Sequence, residues 1–522
     1  MIIIIISNTM TTNTNTTSTK THLNLVICGH VDSGKSTTTG HLLYKLGTFD
    51  ERERAKLQAI ADANGKGSFA YAYFTDTRKD ERERGVTIDC TTKEFFTDKY
   101  HYSLVDAPGH RDYVKNMIAG SSTADVAILM IPAELGGFEA AVAGGNRETG
   151  EVEGQTHQHC QLTQLMGIKQ IIVCVNKMDD KSVNFSESRF NEIKSEAARM
   201  LASSGYGQGK VEKVLERIPF IPISGLNGYN LFGEKAPEMP WYNGFKVKNT
   251  APDGSEIEFE GTTLYDALDK FIQVPKRELS KPFRMPIGDI LKIPGVGTVI
   301  TGRIEAGSVK KGDKLTFIPG DGSGKVTARV FSIEMHHRNV DVAGAGDNVG
   351  INVKDVEGKI VKGDIALPFS ATEKRNPAIR FTAQVVVQDH PGQLKKGFAP
   401  VIFIRTARAA YKIVEIKWKM GVKSTNKVKV ENPEFVEYKD QAEIVFEAPK
   451  GSKQIYMEKF SECEGLGRVI IMDSNALVMI GKIIDVEYGT GKEEDKKDTK
   501  DKDLKAVKTT TVKGTKAAAA TK

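Results

Sequence analysis

GHVDSGKSTTTG, residues 29–40, lies between the apolar run LNLVIC and the segment HLLYKLG. Gly29, Gly34, Lys35 and Ser36 match GxxxxGK[ST], and a strand before it and a helix after it are the context that this pattern requires. Backbone N–H groups and the helix N-terminus of such a loop cradle phosphates, while its lysine offsets their charge. A glycine-rich turn with an exposed lysine is the alternative. The flanking segments favour a phosphate-binding loop.

Length and composition indicate a globular protein of several domains, with 522 residues, 39% hydrophobic and 27% charged. The lysine-rich residues 489–522 and the low-complexity residues 1–20 are predicted to be disordered. Five scattered cysteines without a CxxC pair argue against disulfides and zinc. Five consecutive isoleucines near the N-terminus are too few for a signal peptide or a membrane span. We therefore expect a cytoplasmic protein without a membrane segment.

Apolar runs at residues 23–28, 102–107, 125–131, 170–176 and 219–224 alternate with helical patterns. This alternation predicts a doubly wound, mostly parallel sheet, with ligands at the carboxyl ends of its strands. From Pro282 onward, short β-branched runs between Gly, Pro and Asp turns indicate all-β structure. The predicted fold class is an α/β P-loop domain (residues 21–276) followed by two all-β barrel domains (residues 281–372 and 376–488).

Two later stretches indicate a guanine nucleotide. NKMD, residues 176–179, ends a predicted strand, where the Asp179 carboxylate can accept the N1 and N2 hydrogens of guanine. Lys177 can lie along the base, Asn176 can tie this loop to the phosphate loop, and Ser224 with Gly225 can complete the pocket. Adenine offers no such pair of donors, so the sequence predicts GTP and GDP as ligands.

DAPGH, residues 106–110, follows another strand and can sense the γ-phosphate. Asp106 can reach Mg²⁺ through water, the Gly109 N–H can contact the phosphate, and His110 can orient an attacking water. In ERERGVTID, residues 81–89, the Thr87 hydroxyl can complete Mg²⁺ coordination only while the γ-phosphate is present, which makes this loop a switch. For residues 81–84 a charged surface loop is a credible alternative.

These motifs resemble the eukaryotic translation elongation factor 1-alpha family, and the resemblance extends over residues 20–488. Further stretches that carry it are RDYVKNMIAG after DAPGH, MPWYNG at residues 239–244 and EMHHRNVDVAGAGDNVGINVK at residues 334–354. Within this family, the elongation factor-like (EFL) branch is the most similar. That resemblance rests on GVTIDCTTKEFFTDKYHYSLVDAPGHRD, the extra residues NRETGEVEGQTHQH (146–159), KWKMG (417–421) and SECEGLGR (461–468).

The resemblance implies a three-domain GTPase that carries aminoacyl-tRNA to the ribosomal A site with GTP bound and is reset by a guanine-nucleotide exchange factor. The sequence is silent on oligomeric state, and a monomer is the default expectation. It implies His110 as the catalytic residue and Ser36, Thr87 and, through water, Asp106 as holders of Mg²⁺. The implied nucleotide-binding residues are Gly29, His30, Val31, Asp32, Ser33, Gly34, Lys35, Ser36, Thr37, Asp106, Ala107, Pro108, Gly109, Asn176, Lys177, Met178, Asp179, Ser224, Gly225 and Leu226.

The departures from the family lie away from the nucleotide. RTAR (residues 405–408) stands where the family has HTAH, Met472 and Asn475 replace two usual arginines, and His157 replaces the arginine of GQTREH. Arg405 and Arg408 are candidates for contacts with phosphates of the tRNA T-stem, and the net effect on tRNA affinity stays open. A translational GTPase of termination or ribosome rescue and a cytoskeletal scaffold are the alternative functions.

Overall fold

The computed structural model describes residues 20–76, 78–84, 87, 91–109, 117, 124–146, 151–233, 235–250, 255–320, 326–335, 338–369, 376–388, 392–421, 424–474 and 476–489. The predicted N-terminal extension, the C-terminal tail after Gly489, His110 and Asn475 lie outside these residues.

The first domain alternates strands and helices. Its strands are β1 Thr21–Gly29, β2 Thr91–Phe96, β3 Tyr100–Asp106, β4 Val126–Pro132, β5 Gly144–Asn146, β6 Glu151–Glu153, β7 Gln170–Asn176, β8 Phe220–Pro222, β9 Phe245–Thr250 and β10 Glu256–Gly261. Its α-helices are α1 Lys35–Lys45, α2 Glu51–Ala63, α3 Ala72–Thr75, α4 Lys79–Arg84, α5 Gly137–Val142, α6 Gln155–Leu165, α7 Glu187–Ser203, α8 Val211–Arg217 and α9 Leu264–Asp266. Short 3₁₀ turns at Gly67–Phe69 and Tyr206–Gly209 and a π turn at Ala267–Phe271 complete it.

Six strands form the central sheet in the order β2-β3-β1-β4-β7-β8, parallel except for β2 at the edge. All seven residues of β4 are buried, because helices cover both faces of a parallel sheet. The register pairs Ile27 with Asp106 and Pro132 with Asn176. The carboxyl ends of β1, β3, β4 and β7 therefore meet at one edge, and the loops that follow them lie side by side.

Local side-chain contacts fix where several helices begin. The Asp50 carboxylate accepts the Glu53 N–H at the start of α2, and the Ser186 hydroxyl accepts the Arg189 N–H at the start of α7. Thr263 and Asp266 form a reciprocal capping box at α9. The sequence pattern predicts one helix over residues 263–272, whereas the structure has one α-helical turn followed by the π turn.

The second domain is an antiparallel all-β structure. Its strands are β11 Met285–Pro286, β12 Asp289–Ile293, β13 Gly297–Arg303, β14 Ser308–Lys310, β15 Lys314–Ile318, β16 Thr327–Met335, β17 Arg338–Val340, β18 Val342–Gly344, β19 Asn348–Glu357 and β20 Ile365–Pro368. The main sheet has the order β11-β20-β15-β16-β19-β13-β12, and β14 pairs with β18. Its core contains Phe283, Ile300, Phe317 and Ile351.

The third domain is also antiparallel and all-β. Its strands are β21 Ala378–Val387, β22 Leu394–Lys395, β23 Val401–Ile404, β24 Ala407–Ala410, β25 Lys412–Met420, β26 Val430–Glu431, β27 Phe435–Val436, β28 Gln441–Glu447, β29 Arg468–Asp473 and β30 Ala476–Tyr488. The main sheet has the order β24-β23-β29-β30-β21-β28-β25-β26. The predicted fold class, an α/β domain followed by two all-β domains, is confirmed.

Ion pairs and apolar contacts join the domains. Buried Asp125, just before β4, binds Arg277 of the linker at 3.0 Å and Arg303 of the second domain at 2.5 Å. Buried Arg284 of the second domain contacts Glu458 of the third at 2.7 Å. Four buried apolar side chains of the third domain belong to the same core cluster as the first domain: Phe403, Ile470, Met472 and Ile480.

In the part of the chain that the structure describes, no helix is both long and apolar enough to cross a membrane. Four cysteines, Cys28, Cys160, Cys174 and Cys463, are buried with free thiols. Burial raises the pKa of the Cys28 thiol to about 12. These cysteines are therefore neutral members of the apolar cores.

Candidate functional site

A cavity of about 550 Å³ lies at the carboxyl edge of the parallel sheet. It collects segments that follow β1, β3, β4, β7 and β8, which is where α/β sheets bind ligands. The sequence-predicted residues that line it are Val31, Asp32, Gly34, Lys35, Ser36, Thr37, Thr87, Gly109, Asn176, Lys177, Asp179 and Leu226. The predicted phosphate loop, Thr87 and the predicted base-binding loop therefore face one space.

Two glycines of the phosphate loop are required by its geometry. Gly29 has φ +149°, and a Cβ there would lie 2.3 Å from the Met130 carbonyl oxygen. Gly34 has φ +82°, and a Cβ there would lie 2.3 Å from the Asn176 amide nitrogen. Any side chain at either position would be strained and would push the loop away from the neighbouring strand or from the base-binding loop.

Lys35 points across the phosphate loop. Its Nζ donates to the His30 carbonyl at 2.8 Å, and a Cβ on Gly109 would lie only 2.6 Å from the same Nζ. Burial lowers the Lys35 pKa, and the nearby Asp106 carboxylate opposes that shift. A buried ammonium held by a carbonyl is suited to neutralise the phosphates of an incoming nucleotide.

Hydroxyl and carboxylate oxygens cluster beside Lys35. Ser36 Oγ and Thr87 Oγ1 lie 3.2 Å apart, and the Thr87 hydroxyl donates to Asp76 Oδ1 at 3.1 Å. Both carboxylate oxygens of Asp106 are fully buried near these hydroxyls. Burial raises the pKa of Asp106 to about 6, while burial and the Asp106 charge raise that of Asp76 to about 7. Two buried carboxylates beside two hydroxyls form a donor set that fits a hard divalent ion.

Helix α6 supports the phosphate loop from below. Buried His159 Nδ1 accepts the Gly29 N–H at 3.0 Å, and Gln155 Oε1 accepts the Val31 N–H at 3.3 Å. Burial lowers the His159 pKa to about 3, so the imidazole is neutral and keeps its acceptor nitrogen. His157, one of the family departures, lies 3.5 Å from Ser203 Oγ through its Nε2. The segment GQTHQH therefore lies directly beneath residues 29–31. Gln155 and His159 are an i,i+4 polar pair on one helix face, and sequence reasoning missed this signal.

Asn176 joins the two nucleotide loops. Its Nδ2 donates to the Ser33 carbonyl at 2.9 Å and its Oδ1 accepts the Gly225 N–H at 2.8 Å. His41 Nδ1 lies 2.8 Å from the Gly225 carbonyl, and its ring stacks on Tyr71 at 4.1 Å. The base-binding loop is thus fixed to both α1 and the phosphate loop.

Other predicted residues occupy supporting positions. Met178 and Ala107 belong to the apolar core, Ser33 and Ser224 are fully buried, and Pro108 is buried without lining the cavity. Gly29, His30 and Gly225 shape it through their backbones. His110 lies outside the described residues.

The cavity also has lining residues that the sequence did not indicate: Ser68, Phe69, Ala72, Asp76, Glu134 and Asp180. Residues 68–76 come from the segment between α2 and α4, which carries no phosphate-type motif. Only tertiary packing reveals them, because α1 and α3 pack so closely that a Cβ on Gly40 would lie 2.0 Å from the Tyr71 carbonyl oxygen. Glu134 pairs with Lys177 at 2.6 Å and fixes that side chain at the rim.

The departures from the family fall into different environments. Arg405 is largely buried and pairs with Glu305 of the second domain at 2.8 Å, so its role is to join two domains. Arg408 is exposed on β24. Met472 is fully buried between the third and first domains.

Three family models match the chain in order. The Elongation factor Tu GTP binding domain matches residues 20–274, Elongation factor Tu domain 2 matches residues 297–367, and the GTP-eEF1A C-terminal domain-like model matches residues 380–484. Among solved structures, the S. cerevisiae Ski7 GTPase-like domain bound to GTP shares the fold, with a TM-score of 0.65, 17% identity and coverage of 89% of this chain and 97% of that one. SelB from Methanococcus maripaludis, in complex with GPPNHP, has a TM-score of 0.55, 21% identity and coverage of 90% and 80%.

Curated relatives extend the match to nearly the whole chain. Elongation factor 1-alpha of Tetrahymena pyriformis is 43% identical over 466 residues, which cover 89% of this chain and 98% of the relative. Elongation factor 1-alpha of Desulfurococcus mucosus is 42% identical over 467 residues, covering 89% and 97%. These relatives do not single out the elongation factor-like branch, which stays a prediction. The chain belongs to the elongation factor 1-alpha family, and it is a translation elongation GTPase that binds GTP and GDP.

Proposed function

We propose that this protein carries aminoacyl-tRNA to the ribosomal A site while GTP is bound and releases it after hydrolysis. The observation that carries the proposal is the single cavity that combines a phosphate loop, the switch residue Thr87 and the Asn176–Asp179 base loop, in a chain with both β domains of its family. The working compartment is the cytoplasm, the chain acts as a monomer, and an exchange factor resets the GDP form.

Within the cavity, Lys35 and the backbone of residues 29–37 bind the phosphates. Asp179 and Lys177 bind the guanine, and Asn176 keeps the two loops in register through Ser33 and Gly225. Ser36, Thr87 and, through water, Asp106 hold Mg²⁺. When bound, Mg²⁺ neutralises charge on the β- and γ-phosphates. The fully buried Asp106 carboxylate would supply negative charge beside that ion.

His110 positions the attacking water. It follows Gly109 directly, and the close approach of Gly109 to Lys35 places that turn next to the phosphate loop. Phosphoryl transfer depends on alignment and charge stabilisation, so a positioned histidine suffices without acting as a strong base. His110→Ala should bind labelled GTP as tightly as the parent and lose ribosome-stimulated hydrolysis; loss of GTP binding would contradict this role.

Exposed Arg408 contacts phosphates of the tRNA, whereas Arg405 serves the contact with Glu305. Each phosphate contact releases counterions when the tRNA binds. Loss of one contact should therefore reduce the slope of log binding constant against log salt concentration by about one. Arg408→Ala is the test variant. Exposed Lys412→Ala, at the start of β25, is the matched control.

The deciding experiment is binding of one aminoacyl-tRNA to the protein loaded with GTP or GDP, with deacylated tRNA as control. Tight binding confined to the GTP form and the charged tRNA supports the proposal. Equal binding in both forms would overturn it and direct attention to termination, rescue or scaffold functions.

A further inference from the structure

A second cavity, of about 790 Å³, lies where the first domain, the linker and both β domains meet. Its walls include Asp125, just before β4, and Gln170, the first residue of β7. It therefore opens at the amino edge of the parallel sheet, opposite the nucleotide cavity. Its volume is in the range of cavities that bind small molecules.

The lining of this junction cavity is strongly cationic. Eight lysine and arginine side chains face four aspartate and glutamate side chains. Four of these arginines have carboxylate partners: Arg277 and Arg303 share Asp125, Arg405 binds Glu305, and Arg468 binds Glu464 at 3.3 Å. The acids thus account for only part of the positive charge.

Three cations of the lining have no partner in the described part of the chain. Lys169 and Arg217 come from the first domain and Lys276 from the linker, and none of them makes a hydrogen bond or ion pair with a described residue. Lys169 and Lys276 are exposed and Arg217 is half-buried. Cations grouped around one cavity raise its electrostatic potential, because like charges add.

The third domain adds two guanidinium groups that repel each other. Burial and the charge of Arg405 lower the Arg468 pKa, against the pull of Glu464. Gly167, at the end of α6, leaves room for Arg468, since a Cβ there would lie 2.9 Å from its Nε. Arg468 is thus held against the first domain in a position where a second negative charge would be favourable.

We propose that the junction cavity binds a small multivalent anion of the polyphosphate class. The anion lies between Lys169 and Arg217 of the first domain, Lys276 of the linker and Arg405 and Arg468 of the third domain. Because these residues come from separate domains, the anion binds only when the domains are docked and so stabilises that arrangement. The site is distinct from the nucleotide site and needs no tRNA.

The test uses the full-length protein saturated with the fluorescent nucleotide mant-GDP, with free Mg²⁺ held constant in excess. Inorganic tripolyphosphate is titrated by calorimetry, with sodium chloride of equal ionic strength as reference, while mant-GDP fluorescence reports the nucleotide site. We expect saturable binding with one anion per chain and unchanged fluorescence.

Lys169→Gln and Arg217→Gln should each weaken tripolyphosphate binding about tenfold or more, because each removes a charge-assisted contact. Lys210→Gln, which removes an exposed charge just before α8 and outside the cavity, should leave affinity unchanged. Absent binding, displacement of mant-GDP, or equal weakening by all three substitutions would overturn the proposal. Absence of mant-GDP binding in the parent would instead contradict the proposed nucleotide site.

Discussion

The neutral imidazole of His159 stabilises the folded first domain through a hydrogen bond. Its Nδ1 accepts the Gly29 N–H at 3.0 Å, and burial lowers its pKa from the usual 6.5 to about 3. His159→Phe keeps a ring and removes the acceptor. At neutral pH the substitution should lower the free energy of unfolding by about 1–3 kcal/mol, because a buried N–H loses its partner.

The pH dependence of this effect has a definite sign. The folded pKa is depressed, so the unfolded chain takes up a proton below pH 6.5 while the folded protein does not, and the contribution of His159 falls as the pH drops through 6.5 toward 3. At pH 5 the loss is about 2 kcal/mol relative to pH 7.5. His159→Phe lacks this term, so the stability gap between parent and variant should narrow at pH 5.

The assay follows unfolding of the first domain alone. The chain has two tryptophans, and Trp241, whose Nε1 donates to the Phe185 carbonyl, reports the first domain once Trp418 of the third is replaced by phenylalanine. Urea unfolding of parent and His159→Phe in the Trp418→Phe background, at pH 5 and 7.5, gives the double difference. The contributions of other titrating groups cancel in this double difference. An equal difference in unfolding free energy between parent and variant at both pH values would refute the argument.

Three further substitutions test the site and the domain contacts. Gly34→Ala should lower GDP affinity at least tenfold in a mant-GDP titration, because its Cβ meets Asn176, whereas Gly47→Ala, with similar φ and open space around it, should bind GDP normally; equal affinity of the two variants would contradict this. Asp125→Asn removes the buried carboxylate shared by two half-buried guanidinium groups and should destabilise the docked arrangement by about 3 kcal/mol. This loss should appear as a lower thermal midpoint and a larger radius of gyration, and unchanged values would refute the role of this ion pair. Met472→Arg places a charge in the apolar contact between the third and first domains, and scattering should show an expanded particle, whereas Val428→Arg, at an exposed site of the same domain, should scatter like the parent.

Sequence periodicity predicted the fold class because both of its signals are local. Buried apolar runs between helical segments indicate a covered parallel sheet, and short β-branched runs between turns indicate antiparallel structure. The motif GxxxxGK[ST] also marks the two glycines of the predicted phosphate loop. Gly29 and Gly34 have positive φ and neighbouring atoms too close for a side chain.

The parts that sequence could not supply depend on contacts between distant segments. Asp76 faces the cavity only because α3 packs on α1, and no motif marks it. The sequence makes Arg405 a candidate for phosphate contacts, yet Glu305, one hundred residues away, pairs with it. Met472 stands where the family has an arginine, and its neighbours belong to the apolar core of the first domain. The function of such residues depends on which side chains contact them in the folded protein.

The contacts between the two β domains limit how the molecule can move. Three polar contacts, mostly buried, hold the second domain and the adjoining linker residue to the third domain. They are Arg284 with Glu458, Arg405 with Glu305, and Lys281 Nζ with the Glu462 carbonyl. Breaking a buried ion pair costs several kcal/mol, so the second and third domains move as one rigid body. A change that starts at the γ-phosphate therefore has one principal route to large-scale motion, which is rotation of the first domain against a fixed β pair.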